Sequence, residues 1–179
     1  MISGLKYFRA TVLFISIFVL ISCSSSTPSE QAFQEGIKYS REAKYNESVS
    51  EFTKSIQLKP SSAAYSFRAY AYLLENKPDL ALNDCNKAID IDPRNTQAYN
   101  NRAAAYQKLG NFNQAIIDCD KTIEINPRIP FAYKNRALAY FAKKDYTKAW
   151  LDVHKAQSMQ YQFDDDFIRK LQNQSGRQD

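Results

Sequence analysis

The chain has 179 residues, of which 44% are hydrophobic and 24% are charged, and its formal net charge is +5. This charge is too small and too evenly mixed to indicate a nucleic-acid-binding surface. One histidine, three cysteines and four glycines leave little material for a metal cluster or a glycine-rich phosphate loop. We therefore expect no metal, no cofactor, no nucleic-acid partner and no enzymatic activity.

The start of the chain has the pattern of a secretion signal. Lys6 and Arg9 give a basic beginning, and the stretch from Ala10 to Ser22 is mostly apolar. As a helix this stretch would reach about 20 Å, which is short of the roughly 30 Å hydrocarbon core of a bilayer. It therefore predicts a signal peptide over residues 1–22 rather than a transmembrane helix.

The run Leu20-Ile21-Ser22-Cys23 resembles the lipobox of bacterial lipoproteins. The resemblance implies that Cys23 carries a diacylglycerol and a further fatty-acyl chain such as palmitate, and that two or more chains make the anchoring stable. The Ser-rich residues 23–28 would form a flexible tether. We expect a place in the bacterial cell envelope, on the outer membrane facing the periplasm. The alternative is an ordinary cleaved signal in which Cys23 is incidental.

One pattern recurs through the rest of the chain. Residues 64–72 recur as residues 98–106, and residues 81–85 recur as residues 115–119, each time 34 residues later. The register extends in both directions, with a small residue at the eighth place, Tyr at the eleventh and an apolar residue at the twenty-fourth. In chain order, these places hold Gly36, Ala69, Ala103 and Ala137; Tyr39, Tyr72, Tyr106 and Tyr140; and Phe52, Cys85, Cys119 and Val153.

This pattern resembles the tetratricopeptide repeat, a unit of about 34 residues that forms two antiparallel helices. The resemblance implies an all-α fold, a right-handed α-solenoid of about four helix hairpins, in which each hairpin completes its apolar surface against the next. The four units would span residues 29–61, 62–95, 96–129 and 130–163.

Prolines and short polar residues mark helix boundaries. Pro60, Pro93 and Pro127 close three of the units, because proline disfavours helical geometry in the residue before it. Asn111 and Asp145 stand before second helices, where their side chains can cap free N–H groups.

The pattern breaks after the fourth unit. The acidic run at 164–166 favours a helix start, and Phe167, Ile168 and Leu171 would share one face. We expect residues 164–172 to form a capping helix over the end of the stack, and residues 173–179 to be a disordered tail.

Charged residues also follow the repeat. Arginine stands at the seventh place of three units, and aspartate follows sixteen residues later. A pair that recurs three times predicts structural ion pairs rather than a catalytic site, and Glu51 is expected to serve the first arginine. The pairs are Arg68 and Asp84, Arg102 and Asp118, and Arg136 and Asp152.

Cys85 and Cys119 occupy equivalent places on successive second helices. Such helices lie about 10 Å apart, whereas a disulfide needs Cα atoms closer than about 7 Å. Both residues are therefore predicted to be free, buried thiols.

The resemblance also implies a binding surface, because the first helices of tetratricopeptide repeats line a concave groove. Apolar side chains there would take side chains of a peptide, and asparagines would hold its backbone. For Phe67 and Phe131, simple packing between helices is the alternative. The predicted groove residues are Phe33, Ile37, Ser66, Phe67, Tyr70, Asn100, Asn101, Gln107, Lys134, Asn135 and Phe141, and Gln97 and Phe131 also stand at groove-facing places.

One known variant of this groove, the carboxylate clamp that grips chaperone C termini, is not present. Asn101 matches one of its places. Ser66 and Tyr70 replace its Lys and Asn, and Phe131 and Asn135 replace its later basic pair.

These patterns predict a membrane-anchored lipoprotein adaptor that binds a peptide or helix of a partner protein in the groove, in cell-envelope assembly or recruitment. The alternative is a structural protein that self-associates, for example as a homodimer, and has no groove ligand.

Overall fold

The computed structural model describes residues 26–176, and all regular structure within them is α-helical. The prediction of an all-α solenoid is confirmed, because residues 28–157 form four consecutive antiparallel hairpins and one helix follows them. The predicted signal peptide, Cys23 and the last residues of the predicted tail (177–179) lie outside the described residues. The helices are α1 (Pro28–Arg41), α2 (Tyr45–Leu58), α3 (Ser62–Leu74), α4 (Pro78–Ile91), α5 (Thr96–Lys108), α6 (Phe112–Ile125), α7 (Pro130–Ala142), α8 (Tyr146–Gln157) and α9 (Asp165–Ser175).

The turn inside each hairpin has one repeated geometry. After the first helix, one residue takes a left-handed conformation, with φ of 57° at Ala43, 58° at Asn76, 77° at Gly110 and 63° at Lys144. The N–H of the next residue then donates to the carbonyl oxygen of the eleventh-place tyrosine, at 2.8–2.9 Å. This is the Schellman arrangement, which satisfies carbonyl groups at a helix end. It explains why the turn holds its shape even where glycine is absent.

The helix starts agree with the sequence only in part. Thr27 and Glu30 form a capping box at α1, and Ser61 and Asn95 cap α3 and α5. The predicted cap at Asp145 is present, because its side chain accepts from the N–H of Lys148. The predicted cap at Asn111 is wrong, since its side chain makes no capping hydrogen bond.

Small side chains set the distance between the helices of a hairpin. In three hairpins an eighth-place alanine packs near Cys85, Cys119 or Val153, and all these residues are fully buried. The first hairpin has a smaller residue at the eighth place and a larger one opposite, because Gly36 faces the buried ring of Phe52. A Cβ on Gly36 would lie 2.7 Å from that ring. The glycine is therefore required by the larger partner.

The predicted arginine–aspartate pairs are present, and each spans its own hairpin. In all three, the arginine Nε and Nη2 donate to both carboxylate oxygens of the aspartate at 2.7–2.8 Å. The Nη1 group then donates to the second helix of the preceding hairpin, at Thr53, Asn86 or Asp120 respectively. Each arginine thus joins three helices. Hydrogen bonds to these aspartates raise the pKa of Arg102 and Arg136.

Thr53, not Glu51, takes the place beside Arg68. The expectation for Glu51 is wrong because its carboxylate points to Lys54 on the same helix, 3.7 Å away. The shorter hydroxyl of Thr53 reaches Arg68 Nη1 at 2.8 Å.

The C-terminal helix α9 covers the end of the fourth hairpin. Leu171 is fully buried in a cluster with Val153 and Trp150. The helix continues to Ser175, so the predicted disorder from Asn173 begins too early. The extra turn is held by a hydrogen bond from Trp150 Nε1 to Ser175 Oγ at 3.1 Å, and the left-handed Gly176 ends it.

The other end also differs from the expected boundary. Helix α1 begins at Pro28, which the sequence assigned to the tether, because Thr27 supplies the cap and proline suits the first helical position. Among the described helices, none combines the length and the apolar character needed to span a bilayer.

Gly36→Ala should lower the free energy of unfolding by about 1–2 kcal/mol, because overpacking against Phe52 outweighs the gain in helix propensity. In a Phe52→Val background, the same change should be stabilising. Urea unfolding of the wild type, the two single variants and the double variant tests this. A gain in stability in both backgrounds would contradict the packing account.

Arg102→Ala should cost about 3 kcal/mol, because it leaves the buried Asp118 carboxylate without its cation. The control is Lys121→Ala, which removes an exposed pair with Glu124 and should cost about 1 kcal/mol or less. Thermal unfolding measures both, and groove binding should survive in both variants. Equal losses of stability in the two variants would show that the buried ion pair contributes no more than the exposed one.

Candidate functional site

A cavity of about 590 Å³ opens along the first helices of the four hairpins. These helices contact one another from hairpin to hairpin, whereas among the described residues the second helices of successive hairpins barely meet. The first helices therefore form the inner side of the curve. The cavity is lined by Ile37, Ser40, Arg41, Phe67, Tyr70, Thr96, Gln97, Asn100, Asn101, Ile129 and Phe131.

Aromatic rings form the apolar part of the cavity. Tyr70 and Phe131 keep 42% and 54% of their surface exposed. Phe131 is braced edge-on by Tyr161, with ring centroids 5.5 Å apart. Phe67 is braced from behind by Phe33 and Phe52, at 5.2 and 5.8 Å. The rings are thus held in place by the fold while part of their surface stays open, which is typical of a preformed binding site.

Asparagines at one repeated place tie neighbouring first helices together. Asn101 Nδ2 donates to the carbonyl oxygen of Ser66 at 2.9 Å, and Asn101 is only 5% exposed. In the next repeat Asn135 Nδ2 donates to Oδ1 of Asn100 at 2.9 Å, and it lies 3.5 Å from the carbonyl oxygen of the same residue. These two asparagines are part of the packing between helices.

Five of the predicted groove residues line the cavity: Ile37, Phe67, Tyr70, Asn100 and Asn101. For Phe67, both suggested roles hold at once, because the ring packs between helices and also borders the cavity.

Six predicted groove residues do not line the cavity, and for five of them, all except Lys134, other contacts occupy the side chain. Ser66 is fully buried and its hydroxyl donates to the carbonyl of Ser62. Gln107 donates to the carbonyl of Asn135, and Phe141 packs against Tyr146 and Phe167. The other three are Phe33, Lys134 and Asn135.

Lys134 is partly buried, and this burial lowers the pKa of its ammonium group. Among the salt bridges of the described residues, none involves Lys134. The structure does not bring it to the cavity wall.

Sequence reasoning missed Ser40, Arg41, Thr96 and Ile129 as lining residues. Ser40 and Arg41 stand in the last turn of α1, Thr96 begins α5, and Ile129 precedes α7. These positions are outside the places of a single repeat that face the groove. Only the curvature of the whole stack brings the end of α1 and the start of α7 to one cavity. No local signal in the sequence reports that curvature.

The groups that could have carried chemistry are otherwise occupied. Cys85 and Cys119 are free and buried, and burial raises the pKa of both thiols, so neither is a ready nucleophile. Within residues 26–176, no group of three or more His, Cys, Asp or Glu side chains is placed to hold a metal ion.

Comparison with known proteins identifies the repeat. Residues 62–95 and 96–129 match the family model "Tetratricopeptide repeat". Tetratricopeptide repeat protein 36 of Caenorhabditis elegans is 38% identical over 64 residues, which are 35% of this chain and 36% of the relative. The match therefore covers little more than a third of that relative's length.

Solved structures extend the likeness to the fold. The first TPR of Spaghetti (RPAP3), bound to the HSP90 peptide SRMEEVD, is 28% identical with a TM-score of 0.62 and covers 64% of this chain and 91% of its own. TTC0263, a thermophilic TPR protein of Thermus thermophilus, is 20% identical with a TM-score of 0.72. That match covers 83% of this chain and 84% of TTC0263. Residues 62–129 thus match tetratricopeptide repeats, and the described hairpins share the fold of solved solenoids of such repeats.

Asn101→Ala should lower the free energy of unfolding by about 1–2 kcal/mol, because the Ser66 carbonyl loses its buried donor. Gln97→Ala, at an exposed position in the same cavity, should change it by less than about 0.5 kcal/mol. Chemical denaturation compares the two. If Asn101→Ala left stability unchanged, the asparagine would be free for a ligand after all.

Proposed function

We propose that this chain is a non-enzymatic adaptor that binds a peptide segment of a partner protein in the groove between its first helices. We also propose that a lipid on Cys23 holds it at a bacterial envelope membrane, where it serves assembly or recruitment. The observation that carries the binding role is the preformed cavity, which combines braced aromatic rings with the amide groups of Gln97 and Asn100.

The groove fits an extended segment for physical reasons. It runs across several helices instead of forming a closed pocket, and its aromatic surfaces can bury side chains while amides such as Asn100 and Gln97 bond a backbone. A solved relative of the same fold, the first TPR of Spaghetti, holds a peptide. In this chain the places of the carboxylate clamp hold mostly other residues, so the identity of that peptide is not carried over.

Binding is tested with a phage-displayed peptide library selected on the full chain. Affinities of the selected peptides are then measured by fluorescence anisotropy. Tyr70→Ala and Phe131→Ala should each weaken binding about tenfold or more, because buried aromatic anchors carry most of the energy in such interfaces. The controls are Ile117→Ala and Leu151→Ala, which remove exposed apolar side chains from second helices and should change affinity little.

The opposite ranking of the variants would overturn the assignment of peptide binding to the groove. If the peptides lost affinity in the Ile117 and Leu151 variants and kept it in the Tyr70 and Phe131 variants, recognition would lie on the outer face. If no selected peptide depended on any of these residues, the adaptor role itself would fail.

The anchor is a separate claim with its own test. The sequence around Cys23 supports it, since a nucleophilic thiol stands where lipidation requires one. Mass spectrometry of the mature protein should find an acylated N-terminal Cys23, and Cys23→Ala should move the protein out of the membrane fraction. A cleaved but unacylated protein would favour the ordinary signal peptide.

A second candidate role, self-association, is favoured by one observation. Ile117 and Leu151 hold the same place in successive second helices and are 57% and 65% exposed. Large exposed apolar side chains at equivalent places of neighbouring hairpins can contribute to a contact patch. Sedimentation velocity across a concentration series decides: a dimer that disappears in the double Ile117→Ser, Leu151→Ser variant would support this role, and a monomer throughout would exclude it.

A further inference from the structure

We propose that the groove selects an acidic segment, one that places a carboxylate against Arg41 and an aromatic or large aliphatic side chain between Tyr70 and Phe131. This inference rests on the proposed function and adds the chemical class of its partner. Three features of the cavity carry it: an unneutralised cation, an amide fixed as a donor, and the aromatic slot.

Arg41 is the charged member of the cavity lining among the described residues. It stands in the last turn of α1 and its side chain is exposed. The neighbouring Glu42 is engaged by Lys44 at 2.7 Å, and none of the ion pairs within residues 26–176 includes Arg41. The contrast with Arg68, Arg102 and Arg136 is clear, because each of those is held by a buried aspartate.

Because the guanidinium of Arg41 is planar and carries several donors, it is suited to bind a carboxylate through two hydrogen bonds. The lining contains no Asp or Glu that would neutralise this charge or repel an acidic ligand. A basic segment would instead meet an uncompensated like charge. The charge of the cavity therefore favours an acidic occupant.

Asn100 adds directional information because its orientation is set by its neighbour. Nδ2 of Asn135 lies 3.5 Å from the backbone carbonyl oxygen of Asn100, which can only accept a hydrogen bond, so this end of the Asn135 amide must be the donor. It donates to Oδ1 of Asn100 at 2.9 Å. The amide oxygen of Asn100 is thus committed to Asn135, and its NH₂ group is left to donate into the cavity. A ligand opposite Asn100 must offer an acceptor oxygen, either a backbone carbonyl or a second carboxylate.

The apolar slot supplies the remaining selectivity. Tyr70 and Phe131 come from α3 and α7 and expose ring surface to the same cavity, and Ile37 and Ile129 extend that surface. Tyr161 holds the Phe131 ring from the side. A large planar or branched side chain removes the most water from such a site, so an acidic segment without one would bind weakly.

The test uses synthetic fluorescein-labelled peptides with blocked ends, each with one Phe in a Gly/Ser background. In one set Glu stands at varied distances on either side of the Phe, and in matched sets Gln or Lys replaces the Glu. Anisotropy with the full chain should rank Glu above Gln above Lys, with about a tenfold loss from Glu to Gln for the best spacing. Added salt should reduce that gap.

Arg41→Gln should lower the affinity for the Glu peptide about tenfold, to the level of the Gln peptide, and should affect the Gln peptide much less, so that the effects of the two changes are not additive. The control is Arg169→Gln, the same substitution at an exposed arginine of α9, which should preserve the preference. Asn100→Asp keeps the acceptor for Asn135 but replaces the inward donor with a negative oxygen. It should weaken the Glu peptide more than the Gln peptide, with the melting temperature checked in parallel.

The outcomes separate this inference from the proposed function. If Phe peptides bind equally with Glu and Gln but lose affinity in Tyr70→Ala, the groove is real and the acidic selectivity is wrong. If Arg169→Gln abolishes the preference as well as Arg41→Gln does, the effect is one of overall charge and the assignment to Arg41 is wrong. If no peptide of the sets binds, acidic recognition by this slot is overturned, and the library selection alone decides the wider role.

Discussion

The architecture depends on one constraint: a helix hairpin of this kind cannot bury its apolar surface alone. Each hairpin presents small side chains that let the next one approach closely, and polar links then fix the register. The arginine that binds its own aspartate also reaches the preceding hairpin, as Arg102 does through Asn86. On the inner side, Asn101 bonds the backbone of the previous first helix. The arginine contacts between hairpins and the asparagine contacts between first helices together fix the curvature of the stack.

This division of labour leaves the inner curve available. The polar groups that could have bound a ligand are mostly engaged by the stack, as with Asn101 and Asn135. What remains free is a smaller set, including Arg41, the NH₂ group of Asn100 and the open faces of Tyr70 and Phe131. Under the proposed function, specificity resides in these residues, which the repeat does not need for its own stability and which differ from unit to unit.

The sequence predicted most of the fold because the relevant physics is local and repeated. The tyrosine at place eleven, the small residue at place eight and the Arg–Asp spacing each recur. A misassigned residue in one unit therefore does not change the alignment of the four repeats. The boundaries were less predictable: Asn111 does not cap, and α9 runs on to Ser175 because Trp150 holds it. The cavity was predicted least well. Its composition depends on the curvature of the stack, which brings Arg41 and Phe131 together from opposite ends of the array, and on hydrogen bonds that withdraw Ser66 and Asn135.

The central claim is that the inner curve is open in the free protein and is covered when a ligand binds. Hydroxyl-radical footprinting of the full chain measures this directly, because it reports which side chains water can reach. In the free protein, Tyr70 and Phe131 should be as accessible as the exposed Leu151 once each oxidation rate is divided by the intrinsic reactivity of its side chain. With a selected peptide bound, Tyr70 and Phe131 should become protected while Leu151 does not. If Tyr70 and Phe131 were already protected in the free monomer, the groove would be filled by the protein itself and the account would be wrong.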